Sequence, residues 1–370
     1  MTKVVHVQKV SGVSGSEAHL LSLLPRLRER GWDARMVVLH EGEPGAAEFV
    51  DRLRAEGVPV EAWRLHVDLD PTVPFRVLRL RPEILHTHLV HADVLALPAA
   101  AAARVPVRVS TKHGFNAFRA NRLVAAGDRA AARFAHRQIA ISHGLARYLA
   151  ETEHFDVDDF TVVHYGIEAG PEPSPPPEAP RLVAVGRLIE IKGLDVLLEA
   201  FAAARRELPA LTLEIAGAGP LEQELRRAAP EGVSFLGRVS PVGPVYERNA
   251  IAVVPSRGEG FGMVALEAAE RGRPAIVSDV GGLPEIVADG ETGIVVRSGD
   301  ADALARAIVS LAGDPERVRG LGAAARRRAA AQFSLGAAVD GVEAVYRQEL
   351  SRRVTVAAAS SASTKSNEMR

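Results

Sequence analysis

Residues 250–287 read AIAVVPSRGEGFGMVALEAAERGRPAIVSDVGGLPEIV. The run 250–255 is short and apolar like a buried strand, 256–262 carries three glycines like a loop, and 263–270 has a helical pattern. The loop therefore delivers a helix N-terminus at the end of a strand. Backbone N–H groups of Gly260, Phe261 and Gly262 point out of that first turn, and with the helix dipole they favour an anion such as a phosphate. Glu259 lies beside the same spot. A carboxylate does not bind phosphate, so it accepts hydrogen bonds from hydroxyls on something attached to the phosphate. Glu267 stands one turn into a helix among Val264, Ala265, Leu266, Ala268 and Ala269. A charge on that apolar face needs a partner, and a sugar diol supplies one. Either glutamate alone reads as an ordinary solvated helix former. Beside a loop built for close backbone approach, the pair points to a ligand.

A basic constellation lies upstream. RLVAVGR (181–187) reads as a buried strand ending in Gly-Arg, and LIEIKGLDVLLEAF continues through Lys192 into an amphipathic helix starting near Leu194. Arg187 and Lys192 then flank one strand-to-helix connection, where two cations are placed to neutralise a diphosphate. Only five lysines occur among 45 basic residues, at positions 3, 9, 112, 192 and 365, so arginine is the default cation here.

Strands alternate with helical patterns along the whole chain, which argues for an α/β protein with two parallel, doubly wound, Rossmann-like sheets. The first domain spans 1–168, a proline-rich connection (AGPEPSPPPEAP) spans 169–180, and the second domain spans 181–334. A helix at 335–350 follows, and the Ser/Ala-rich residues 351–370 read as a disordered tail. Near the amino end, a strand at 4–10 leads through Ser11, Gly12, Val13, Ser14, Gly15, Ser16 and Glu17 into an amphipathic helix. That glycine spacing is not the dinucleotide fingerprint, and Gly217-Ala218-Gly219 misses it too because Glu222 takes the third glycine's place. A nicotinamide cofactor is not expected. His113 ends the strand VRVSTKH, at the carboxyl edge of the sheet. His86 and His88 alternate with Thr87 and share one face. Such a pair can ligate metal, but no third ligand is evident, and His88 is expected at most to line a cleft.

Composition narrows the classes further. At 370 residues with 47% hydrophobic content the chain can build two cores. It has no cysteine, which excludes disulfides, thiol nucleophiles and Cys-ligated metal centres. A net charge of −1 argues against general nucleic-acid binding. Met1-Thr2-Lys3 runs straight into a strand without a leader pattern, and the longest apolar run, 94–103, is too short to span a bilayer. A cytoplasmic protein is expected. Residues 115–137 hold five arginines against one acid with aromatic residues interleaved, which suits peripheral contact with the inner membrane face or, more simply, a surface helix packed on the sheet.

With these residues in hand, the chain resembles the family 4 glycosyltransferases, retaining enzymes of GT-B fold in which two Rossmann-like domains face a central cleft. The resemblance covers nearly the whole chain. It rests on SGVSGSEAHLL, STKHGF, VGRLIEIKGLDVLLEAF, EIAGAGPLEQEL, FLGRVS and the long stretch from PSRGEGFG to GETGIVV. It implies that Arg187 and Lys192 bind the donor diphosphate, Glu259 contacts the donor sugar and Glu267 holds the ribose hydroxyls. By the same resemblance the amides of Phe261 and Gly262 touch the sugar, Gly237, Arg238 and Val239 lie by the base, Gly15 meets the diphosphate on domain closure and His113 hydrogen-bonds the sugar. The last helix would cross back to the first domain. The implied activity is transfer of a sugar from a UDP- or GDP-sugar to an acceptor hydroxyl with retention, in glycan, glycolipid or cell-surface polysaccharide synthesis. No cofactor and no metal are expected. Asp68-Leu69-Asp70 matches DxD, but GT-B enzymes do not use that motif for metal. The acceptor, itself unidentified, would meet the loops at 41–45 and 115–121. The competing readings are a nucleotide-sugar 2-epimerase-like isomerase and a non-catalytic nucleotide-sugar-binding protein. A pyridoxal-phosphate phosphorylase is disfavoured because Lys192 is the only candidate lysine in the second domain.

Overall fold

The structure, a computed structural model, describes residues 1–115 and 122–368. The chain forms two compact units. One comprises Met1–Ile141, Ala146–His164 and the chain from Leu335 on, and the other Ser142–Leu145 with Tyr165–Ser334.

The first unit carries β1 (Lys3–Lys9), α1 (Gly15–Glu29), β2 (Asp33–His40), α2 (Pro44–Ala55), β3 (Val60–Arg64), α3 (Val73–Arg79), β4 (Ile84–His88) and α4 (Leu89–Ala102). It continues with β5 (Val107–Lys112), α5 (Arg122–Ala132), β6 (Arg137–Ala140), α6 (His143–Glu153) and β7 (Phe160–Val162), the first residues of α6 grouping with the second unit. Its seven strands are all parallel, in the order β3-β2-β1-β4-β5-β6-β7. A parallel sheet covered on both faces needs apolar residues in both directions, and every position of β4 is buried. One face packs Leu20, Leu24, Phe49, Val342 and Tyr346, and the other Trp63, Val77, Leu95 and Ala96.

The second unit carries β8 (Arg181–Val185), α7 (Leu194–Glu207), β9 (Thr212–Ala216), α8 (Glu222–Ala228), β10 (Val233–Gly237), α9 (Gly243–Glu247), β11 (Ile251–Val254) and α10 (Met263–Glu270). It ends with β12 (Ala275–Ser278), α11 (Leu283–Ile286), β13 (Gly293–Val296), α12 (Ala301–Ala312) and α13 (Pro315–Gln332), after which α14 (Leu335–Glu368) returns to the first unit. The six parallel strands run β10-β9-β8-β11-β12-β13. Phe201, Ile215, Val253, Ile276 and Ile308 sit in its core. The strand order reverses between β1 and β4 in one sheet and between β8 and β11 in the other. Those are the points where crevices open beyond the carboxyl ends of a doubly wound sheet.

Two boundaries differ from the sequence reading. The first unit ends at His164 rather than near 168, and the last helix runs to Glu368 where a disordered tail was expected from 351. Residues 351–368 extend a helix already nucleated on the sheet, so no new nucleus is needed. Residues 169–180 contain neither helix nor strand. Among the described residues, no helix is long and apolar enough to cross a membrane.

Candidate active site

The switch point of the second sheet brings two loops side by side, since β8 and β11 are neighbours and each feeds a helix. After β8 the chain makes a 3-10 turn over Glu190–Lys192, then enters α7 through Gly193, whose φ of 63° is left-handed. A Cβ on Gly193 would lie 2.1 Å from the Pro255 carbonyl oxygen in the loop after β11. Only glycine permits that backbone and that approach. The other loop holds on in turn, because the Arg257 amide donates to the Ile191 carbonyl at 2.8 Å and its guanidinium donates to the Asp195 carboxylate at 2.5 and 2.7 Å.

That stitching sets the chemistry. Lys192 Nζ donates to Glu259 Oε2 at 2.6 Å, with the two side chains 21% and 14% exposed. An ammonium has three donors, so Lys192 can keep Glu259 and still meet an anion. Arg187 is exposed and makes no ion pair among the described residues. Helix α10 begins at Gly262, whose φ is 112°. No backbone hydrogen bond among the described residues occupies the Gly260 or Gly262 amides. The Phe261 ring is buried and meets Tyr165 and Phe333 edge-on at 5.6 and 5.7 Å, while Ser142 Oγ donates to the Gly260 carbonyl at 2.6 Å. The side chain thus anchors from within a turn whose three residues, Gly260, Phe261 and Gly262, are all buried.

Glu267 is half-buried, and burial pushes its carboxyl up to about 7, against the pull of the hydrogen bond from the Tyr246 hydroxyl at 3.2 Å. The same hydroxyl lies 3.1 Å from the Val264 carbonyl. Tyr246 is therefore the protein's own donor to a carboxylate that the sequence left without one. Gly237 ends β10 in a left-handed turn, with its carbonyl accepting from the Gly217 amide at 2.7 Å; Arg238 beyond it is exposed and Val239 half-buried. The structure thus places Gly237, Arg238, Arg187, Lys192, Glu259 and the Gly260–Gly262 turn at the carboxyl ends of three strands, β10, β8 and β11.

The first unit holds the remaining two predicted residues. Gly15 opens α1, just after Ser14, whose amide and hydroxyl donate to the Glu17 carboxylate at 3.0 and 2.6 Å. His113 follows β5, and its Nε2 lies 2.8 Å from His88 Nδ1. Burial holds the His113 imidazole well below its ordinary range, so it is neutral. His88 is only 1% exposed, which corrects the expectation that it lines a cleft. It joins His86 and His6 in a stacked cluster, the last of these from the middle of β1, so a third imidazole is present where the sequence showed two. Alternation along β4 and β5 puts Thr87, Ser110 and Lys112 on the other face, where Lys112 Nζ donates to Asp93 and Asp128 at 2.7 Å each in full burial.

Comparison with known proteins follows the same division. The family model described as Glycosyltransferase Family 4 matches residues 13–170, and the one described as Glycosyl transferases group 1 matches residues 179–314. A glycogen synthase of Mycobacterium tuberculosis (strain ATCC 25618 / H37Rv) is 31% identical over 288 residues, covering 72% of this chain and 69% of that protein. The chain belongs to the family 4 glycosyltransferases. A D-inositol 3-phosphate glycosyltransferase of Segniliparus rotundus is 34% identical over 62% of this chain and 54% of its own length. Among solved structures, Anabaena HepE in complex with UDP and glucose superposes with a TM-score of 0.81 at 19% identity, covering 94% of this chain and all of that one. That likeness establishes the GT-B fold.

In this glycosyltransferase several sequence signals resolve into structural roles. Gly217 and Gly219, the near-miss fingerprint, carry the turn after β9 and let it run against the turn after β8: Cβ atoms there would lie 1.8 Å from the Gly186 oxygen and 2.4 Å from the Leu188 oxygen. Their signal was legible as two glycines closing an apolar strand. The DxD carboxylates part company, Asp68 accepting from Lys9 at 2.5 Å and Asp70 accepting from the Thr72 amide just before α3 at 2.9 Å. Of the basic stretch 115–137, residues 116–121, which make up all but Phe115 of the loop assigned to the acceptor there, lie outside the described residues. The part that is described turns Asp128, Ala131 and Ala132 inward.

Proposed function

We propose that this glycosyltransferase takes its sugar from a nucleotide-diphosphate donor, UDP- or GDP-linked, and passes it to an acceptor hydroxyl with retention at the anomeric carbon and without a metal. The observation that carries the reading is Lys192 on the loop after β8 holding Glu259 on the loop after β11 at 2.6 Å, at the switch point of the second sheet, with the exposed Arg187 on the same connection as Lys192. The bond from the anomeric carbon to the diphosphate breaks and its electron pair goes to the leaving oxygen. Arg187, Lys192 and the turn amides stabilise the charge that develops there. The acceptor oxygen forms the new bond from the same face, and its proton passes to the leaving phosphate. Glu259 orients the sugar hydroxyls, and Glu267 the ribose hydroxyls. Gly237, Arg238 and Val239 flank the base. His113 and Gly15 belong to the other unit, and their part follows the family resemblance. Relatives support a nucleotide donor by name, one being a GDP-mannose-dependent mannosyltransferase of Mycolicibacterium smegmatis, 37% identical over 40% of this chain.

Calorimetric titration with UDP, GDP and ADP, followed by the matching nucleotide sugars, tests this. One diphosphate should bind, its sugar should be released slowly as free nucleotide plus sugar, and Lys192→Ala and Glu259→Gln should each lower turnover at least about tenfold. Near-wild-type turnover in both variants, or no diphosphate binding, would sink the proposal. Interconversion of the donor sugar without an acceptor would favour the epimerase reading instead.

A further inference from the structure

A run of hydrogen bonds through the first unit joins the last helix to His113. Tyr346 Oη is 2.6 Å from His86 Nδ1 and 3.3 Å from His6 Nε2; His6 Nδ1 is 2.9 Å from His88 Nε2; and His88 Nδ1 is 2.8 Å from His113 Nε2. Beyond His86, its Nε2 lies 2.6 Å from Thr111 Oγ1. His6, His86, His88 and Tyr346 are all 1% exposed or less, and the run reaches a half-buried residue only at His113. His6, His86 and His88 offer nitrogens within 4.8 Å of one another, near enough for a metal ion. All six of their ring nitrogens are already engaged, however, which makes the cluster a relay.

A neutral imidazole has one N–H and one lone pair, so a ring bonded at both nitrogens must donate through one and accept through the other. His6 and His88 are such rings. The direction of any one link between the rings therefore dictates the others, and the Tyr346 hydroxyl, with a single proton, can donate to only one of His86 and His6. The contact between Tyr346 and His86 decides between them: at 2.6 Å it is the shorter of the hydroxyl's two bonds, and the phenol O–H is the natural donor to an imidazole lone pair. The Tyr346 oxygen is then left to accept from His6 Nε2–H, His6 Nδ1 accepts from His88 Nε2–H, and His88 Nδ1 accepts from His113 Nε2–H. We propose that Tyr346 is a positioning residue for His113, its hydroxyl fixing His113 through His6 and His88 as the Nε2–H tautomer. Its consequence for sugar transfer rests on the function proposed above, whereas the tautomer itself does not.

The test is long-range nitrogen–proton NMR on the full chain labelled with 15N-histidine, without nucleotide. In the wild type His6, His86, His88 and His113 should all show a protonated Nε2 and an unprotonated Nδ1. Any of the four found with its proton on Nδ1 overturns the assignment. In Tyr346→Phe the ring stays but the chain loses its origin, so His88 and His113 should show both tautomers. Retention of a single Nε2–H tautomer at His113 would refute the role of Tyr346. Should that variant not fold, His6→Phe cuts the same chain with Tyr346 intact and carries the same two outcomes for His88 and His113. A wild type with these tautomers but no turnover of any nucleotide sugar would remove the transferase reading and leave the positioning result standing.

Discussion

Glu267 combines two demands that oppose each other. Its carboxylate must be charged to hold ribose hydroxyls, yet burial raises its pKa to about 7. A carboxyl whose folded pKa lies above its unfolded value of 4.5 favours the fold below that value, and the contribution is lost as pH rises through about 7. Glu267→Gln should therefore raise the melting temperature at pH 8 by a few degrees and weaken nucleotide binding there, and should gain nothing in stability at pH 4, where the wild-type carboxyl is already neutral. Scanning calorimetry at the two pH values checks the sign, and an unchanged melting temperature at pH 8 would mean that the carboxylate carries no desolvation cost. The sequence pointed to an apolar helix face around Glu267. It did not disclose Tyr246, because that partner stands 21 residues away on another helix.

At the scale of elements, the site depends on how closely two loops can run. Gly193 lets the turn after β8 touch the loop after β11, and Lys192 is the residue just before it. Gly193→Ala puts a side chain at φ 63° and 2.1 Å from a carbonyl oxygen. The left-handed backbone alone costs about 1–2 kcal/mol, and the contact forces the loops apart. The expected result is a melting temperature lowered by at least about 2–4 °C together with weaker diphosphate binding, read by calorimetry. Binding at full strength would show that Lys192 does not need the stitched geometry. Strand, glycine loop and helix were legible from local pattern at 250–270, and so was the cation pair. Gly217 and Gly219 were legible as glycines but not in purpose, since their neighbours Gly186 and Leu188 come from a different strand's loop.

Over the whole molecule, the first unit carries a load of buried neutral histidines that the second does not share. Burial lowers His6 and His19 from 6.5 to about 3 and takes His86, His88 and His113 well below their ordinary range. The unfolded chain takes up protons below pH 6.5 while the fold resists them, so stability is present above that pH and is lost as pH falls toward 3. Each such histidine adds a slope of up to about 1.4 kcal/mol per pH unit. Both tryptophans, Trp32 and Trp63, are buried in this unit, so their fluorescence reports on it alone. Acid titration should show a cooperative tryptophan transition between pH 6.5 and 3, and a flat signal to pH 3 would contradict the neutral, buried cluster.

The sequence by itself determined the two doubly wound sheets, the strand-to-helix loops and the types of residue on them, because periodicity of 2 and 3.6, glycine placement and helix-start signals act over a dozen residues. It did not determine that the Ala-rich end continues a helix, which follows from the anchoring of α14 on the first sheet. Nor could it place Tyr346 beside His6, 340 residues away in the chain, or Lys192 against Glu259, 67 residues away. Such pairs are set by strand order and by which helix packs on which face of the sheet. Adjacency in a parallel sheet joins segments far apart in sequence, and no local pattern encodes which of them become neighbours.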